Sequence, residues 1–158
     1  GNICREVAMI FVTTGSVAPF DELIKEVDRL AEEGLFYGTE VIAQIGNGEY
    51  IPKRMTWFRF KRDLSEYYAR ADLIITHGGA GTIFEILRVG KKAIAVPNFK
   101  AIYNPDILIK MSKEGHILLC TDLRRLRDLI IFSKNWRPKP YREVTCRIHD
   151  IISRYLLS

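Results

Sequence analysis

A chain of 158 residues with 47% hydrophobic side chains has the size of one domain, and enough apolar material for a core that needs neither disulfides nor metal. Its net charge of +5 is local: Thr121 to Arg147 carries eight Lys/Arg against three Asp/Glu, and the remainder balances at sixteen of each. Three cysteines, Cys4, Cys120 and Cys146, are odd in number and form no C-x-x-C pair, which argues against a disulfide framework or a zinc site and for a reducing, cytoplasmic compartment.

The first apolar run, Val7 to Val12, reads as a buried strand; it is too short to cross a bilayer and lacks a signal-peptide cleavage pattern. Phe20, Leu23, Ile24, Val27 and Leu30 then recur at helical spacing up to Gly34. The alternation continues with strands at Glu40 to Ile45 and Thr56 to Phe60, a short helix at Leu64 to Ala71, and a strand at Leu73 to Thr76. A helix over Ala80 to Val89, a strand at Ala93 to Val96, a helix over Asp106 to Lys113 and an apolar run at Ile117 to Cys120 follow. Two helical stretches close the chain, the last spanning 141–157 with Val144, Ile148, Ile151, Ile152 and Tyr155 on one face. That face either packs on its own sheet or docks a partner chain.

Continuous apolar strands between amphipathic helices predict a doubly wound α/β fold, a parallel Rossmann-like sheet covered on both faces, in one domain over 1–158. Ligands of such sheets bind beyond the carboxyl ends of the strands. The late basic residues, among them Arg124, Arg125, Arg127 and Lys134, are either a solvated helix face or a surface for anionic lipid headgroups. No nucleic-acid-binding module is recognisable, so nucleic acid is not an expected partner.

The strongest feature is Asp72-Leu-Ile-Ile-Thr-His-Gly-Gly-Ala-Gly-Thr82, an apolar strand running through glycines into a helix. Glycine admits close backbone approach, and free amides at a helix start favour an anion, so a phosphate or diphosphate belongs there. The dinucleotide fingerprint is absent, because Phe84 stands where its third glycine would be, and no Walker lysine follows. An epimerase is disfavoured as well, since Tyr67, Tyr68 and Tyr103 lack a lysine four residues on.

Ala71 to Glu85, Gly90-Lys and Val96-Pro-Asn98, preceded by Phe11-Val-Thr-Thr-Gly-Ser16, Pro19 to Ile24 and Gln44-Ile-Gly46, together resemble the C-terminal domain of glycosyltransferase family 28. Within it the likeness is to small catalytic subunits of two-part N-acetylglucosaminyltransferases that act on dolichol-linked substrates. The similarity covers most of Val7 to Gly115. It implies the C-terminal half of a GT-B enzyme that binds a UDP-sugar and inverts at the transferred carbon. No bound metal or other cofactor is implied, and the chain has no Asp-x-Asp.

Carried over by position, Gly78, Gly79, Ala80, Gly81 and Thr82 would hold the diphosphate and Glu85 the ribose. The backbone at Phe60 and Lys61 would meet the uracil, and Gly15 and Ser16 would face the acceptor. No catalytic residue is identified, His77 being the one candidate; its imidazole could donate to a phosphate oxygen or simply cap the strand end. One departure stands out: after a matching Asn104, Pro105 and Asp106 replace the family's His-Gln or Gln-Gln pair, which leaves Asn104 and Asp106 to meet the sugar and the sugar open between N-acetylglucosamine and another hexose. The resemblance places the catalytic base and the lipid-linked acceptor on another domain or on a membrane-anchored subunit, with this chain associated peripherally. A non-catalytic UDP-sugar-binding module is the alternative.

Overall fold

The computed structural model describes residues 8–16, 18–98, 100–101 and 105–141. The elements run β1 (Ala8–Thr13), α1 (Asp21–Glu32), β2 (Thr39–Gln44), β3 (Thr56–Phe58), α2 (Ser65–Arg70), β4 (Leu73–Thr76), α3 (Ala80–Arg88), β5 (Ala93–Ala95), α4 (Pro105–Lys113), β6 (Leu118–Leu119) and α5 (Leu126–Ser133), with a 3₁₀ turn at Leu123–Arg125 before α5. The predicted alternation is therefore present over the described residues, whereas the helix expected at 141–157 lies outside them apart from its first residue, Tyr141. β3 is shorter than expected: strand pairing stops at Phe58, and Arg59 turns its guanidinium back onto the carbonyls of Gly46 and Gly48 at 3.0 and 2.8 Å. Phe60 thus belongs to a loop.

The six strands form one parallel sheet in the order β3-β2-β1-β4-β5-β6. Successive side chains of a strand point to opposite faces, and β1 divides its apolar residues accordingly. Ile10 and Val12 enter one core with Leu23, Ile24 and Val27 of α1 and Ile130 of α5. Met9 and Phe11 enter the other with Ile83 and Ile86 of α3 and Leu108 of α4. Both faces are dry, so the strands carry no polar alternation.

The order reverses between β1 and β4. Connections leave these two strands in opposite directions, and their carboxyl ends open a crevice at such a switch point. Thr13 pairs with Thr76 there, and the ladder runs one residue further through His77 N–H to the Thr13 carbonyl at 3.0 Å.

A buried acid secures the rim of this edge. Asp28 of α1, 5% exposed, accepts hydrogen bonds from the Tyr50 hydroxyl and from the backbone amides of Lys53 and Arg54, the amide bonds being 3.0 and 2.8 Å at their shortest. Asp21, about two helical turns before it, receives the amides of Glu49 and Tyr50. Together they fix the loop after β2, whose Gly46 lies so close to the first loop that a Cβ there would stand 2.9 Å from the Gly15 carbonyl oxygen. Removing a carboxylate that satisfies several buried or half-buried donors strands them. Asp28→Ala is expected to cost about 2–4 kcal/mol in urea unfolding; a loss within the scatter of surface substitutions would mean the loop is held by other contacts.

Candidate functional site

The start of α3 is left bare. Gly79 is its N-cap residue and offers no side chain, the first turn holds no acidic residue, and the first bond inside the helix is Ile83 N–H to the Gly79 carbonyl at 3.0 Å. The amides of Ala80, Gly81 and Thr82 therefore have no carbonyl within the helix, and the positive end of the helix dipole adds to them. Gly78 adopts φ +87, which other residues rarely reach, and a Cβ on it would meet Leu108 Cδ1 at 2.8 Å. Gly81 has neither constraint. Its φ is ordinary and a Cβ would find nothing within 4 Å, so nothing within the described protein explains a helix-weakening residue there.

A cleft of about 430 Å³ opens beside this helix start, between the loop after β1, the segment joining β3 to α2, and α3 itself. It brings together Phe60, Lys61, Thr82 and Glu85, assigned from the resemblance to the donor nucleotide, with Gly15 and Ser16, assigned to the loop facing the acceptor. Ala80 and Gly81 are exposed at the start of the same helix. The phenyl ring of Phe60 is exposed, whereas the Lys61 ammonium folds back over the rings of Phe58 and Tyr67, 5.0 and 5.6 Å from their centroids. That leaves the Lys61 backbone, more than its charge, to meet a ligand.

Asp106 is elsewhere. It is exposed in the first turn of α4 and does not line the cleft; Asn104 lies outside the described residues. His77 is half-buried with Nδ1 3.4 Å from the Thr76 hydroxyl, and its Nε2 edge faces the loops that carry Gly15 and Gly79. Burial pushes the imidazole below its usual pKa, the Thr13 backbone opposing in part, so it is neutral at physiological pH.

Two of the cleft residues without a role assigned from sequence bear on the site's geometry. Gln44, 4% exposed at the end of β2, donates to Thr13 Oγ1 at 3.2 Å and accepts from the Lys61 amide at 3.4 Å, while Thr13 Oγ1 also accepts from the Gly15 amide at 3.3 Å. It ties the two loops on either side of the cleft. A glutamine closing the apolar run Val41-Ile42-Ala43 was the available signal, because a polar residue at the carboxyl end of a buried strand points to the ligand edge.

Tyr68 of α2 is the second. Its ring is buried edge-on to Phe11 at 5.7 Å, and its phenol is pushed up to about 12 by burial, then by the charge of Glu85, with hydrogen bonding to Thr82 offsetting part of the rise. A neutral phenol at this place faces the two α3 side chains assigned to the donor. Nothing in the sequence sets Tyr68 apart from Tyr67 beside it, since both fall on the inner side of a short helix.

Among the described residues no three His, Cys, Asp or Glu side chains gather where they could hold a metal ion, and no helix is long and apolar enough to cross a membrane.

Comparison with known proteins gives a consistent picture. The chain is 37% identical over 125 residues to the human "UDP-N-acetylglucosamine transferase subunit ALG13", a match covering 71% of this chain and 11% of that protein. The protein of the same name from Yarrowia lipolytica is 30% identical over 129 residues, covering 72% of this chain and 65% of its own. Thus the chain spans a small part of the human relative and somewhat under two thirds of the yeast one. Among solved structures, an NMR structure of ALG13 superposes with a TM-score of 0.63 at 22% identity, covering 86% of this chain and 90% of that one. Acinetobacter baumannii MurG superposes with a TM-score of 0.65 at 21% identity, covering 85% and 43%. Residues 9–105 match the glycosyltransferase family 28 C-terminal domain, and the chain belongs to that family, with the fold of the C-terminal half of a GT-B glycosyltransferase.

Proposed function

We propose that this domain holds the UDP-sugar of an inverting glycosyl transfer, UDP-N-acetylglucosamine being the first donor to test, and that a membrane-anchored second subunit completes the enzyme by presenting a lipid-linked acceptor. The observation that carries the reading is the uncapped start of α3, opening beside a cleft of nucleotide size. The names of the relatives, subunits of a UDP-N-acetylglucosamine transferase, support the donor and the need for a partner.

The chemistry asks for stabilisation of the departing diphosphate. Amides aimed at the leaving oxygens and a helix dipole provide it without reorganisation in the transition state. Each hydrogen bond to a charged group contributes ~1.5–3 kcal/mol, so the amides of Ala80, Gly81 and Thr82 outweigh the dipole alone, which reaches ~2 kcal/mol at best. The Thr82 hydroxyl adds a donor, and the neutral Tyr68 phenol can hydrogen-bond to it from the protein side. Glu85, one turn into α3 and lining the cleft, suits the ribose hydroxyls, and the Phe60 and Lys61 backbone suits the uracil. No metal is needed in this scheme, so binding should persist in EDTA. The acceptor hydroxyl requires a base, and with His77 turned between two loops and Glu85 committed to the ribose, that base falls to the partner.

Gly81 provides the sharpest test. Ala is favoured over Gly in a helix by up to ~1 kcal/mol, so Gly81→Ala is expected to stabilise the free chain slightly while weakening UDP binding at least tenfold in calorimetric titration. Stabilisation with unchanged affinity would remove the diphosphate from this helix start. The role of Glu85 is read separately: the chain should prefer UDP to 2′,3′-dideoxy-UDP, and Glu85→Ala should erase that preference. A preference surviving the substitution would place the ribose elsewhere. For the partner, sugar transfer to a lipid-linked acceptor is expected only when the chain is combined with membranes carrying the second subunit. Full turnover by the purified chain contradicts the two-part enzyme, and UDP-sugar binding with no transfer in either setting favours a binding module.

A further inference from the structure

The glycine at position 79 is not explained by its backbone. Its φ of −62 and ψ of 136 are open to any residue, and an N-cap position prefers Ser, Thr, Asn or Asp, whose side chains bond the first amides of the helix. What excludes a side chain is His77: a Cβ on Gly79 would stand 2.5 Å from Nε2 of the imidazole. A Cβ on Gly15, in the loop after β1, would stand 2.4 Å from the same atom. The ring edge is therefore packed against both the loop after β1 and the start of α3, and a side chain at either glycine would displace it. Its base is fixed as well, by the main-chain bond to Thr13 and by the Thr76 hydroxyl beside Nδ1.

We infer that His77 is a positioning residue, whose imidazole sets the spacing between the Gly15 loop and the start of α3 and keeps the N-cap of α3 free of any side chain. Two consequences follow from one ring. The amides of Ala80, Gly81 and Thr82 remain unclaimed by a cap, and the loop facing the acceptor is kept one ring's thickness from the donor cradle. Gly15 needs glycine twice over, since its φ of +77 already excludes most side chains; Gly79 needs it only because of His77, which makes position 79 the informative one.

This inference rests on the reading of α3 as the diphosphate site, and a mutant cycle separates the two. UDP affinity is measured by calorimetry, and thermal midpoint by calorimetric scan, for the native chain, His77→Ala, Gly79→Ala and the double variant. Gly79→Ala is expected to weaken UDP at least tenfold with His77 present, because the methyl displaces the ring and with it both loops. In the His77→Ala background the same methyl enters vacated space, and its effect should fall below twofold. Equal effects of Gly79→Ala in both backgrounds, or no effect in either, would overturn the inference. Should the native chain bind no UDP, the donor reading fails instead, and the thermal midpoints still decide the steric coupling: Gly79→Ala lowering the midpoint only with His77 present supports it, and additive shifts refute it.

Discussion

A helix that begins at the centre of a parallel sheet, with no side chain to neutralise its first turn, is the constraint around which the site is built. Helix starts ordinarily recruit Ser, Thr, Asp or Asn, or an acid within the first turn. α3 has none of these. It begins just past the carboxyl end of β4, where the strand order reverses and a crevice is expected. The rest of the edge is arranged to keep the helix start in place and accessible: Leu108 closes against Gly78 from α4, Gln44 joins the loops across the cleft, and Asp28 anchors the rim.

How much of this was legible in the sequence follows from where each signal resides. The run Leu73-Ile-Ile-Thr76 into His77-Gly-Gly-Ala-Gly-Thr82 states strand, loop and helix start within a dozen residues, so the element pattern and the uncapped helix start could be read locally. Phe60, Lys61, Thr82 and Glu85 were placed together from the family resemblance, and they do line one cleft. Gln44, Tyr68 and Asp28 were assigned no role for a different reason. Their roles depend on the order β3-β2-β1-β4, which brings the β2 end beside the β1 loop and packs α2 next to α3, and no local pattern encodes that order. Asp28 did leave a trace, an acid amid the apolar stripe of Ile24, Val27 and Leu30, but its ligands arrive from a loop more than twenty residues away. Asp106 shows the opposite case: its position in the motif suggested a sugar contact, yet its place on α4 is outside the described cleft.

The division of labour follows from the same geometry. In the proposed scheme this chain holds the diphosphate, a task that needs amides and a dipole held rigidly, and these a sheet edge provides well. Deprotonating an acceptor needs a titratable group that approaches from across the sugar, which the scheme assigns to the partner. His77 belongs to the first task. Its ring is neutral and wedged, suited to spacing the loops more than to moving protons.

Amide resonances of the ¹⁵N-labelled chain, followed during titration with UDP, test the central claim most directly. The account predicts that the largest displacements fall on Ala80, Gly81 and Thr82, with a second group at Lys61 and Glu85 along the cleft. UDP binding that left the three helix-start amides in place would contradict it.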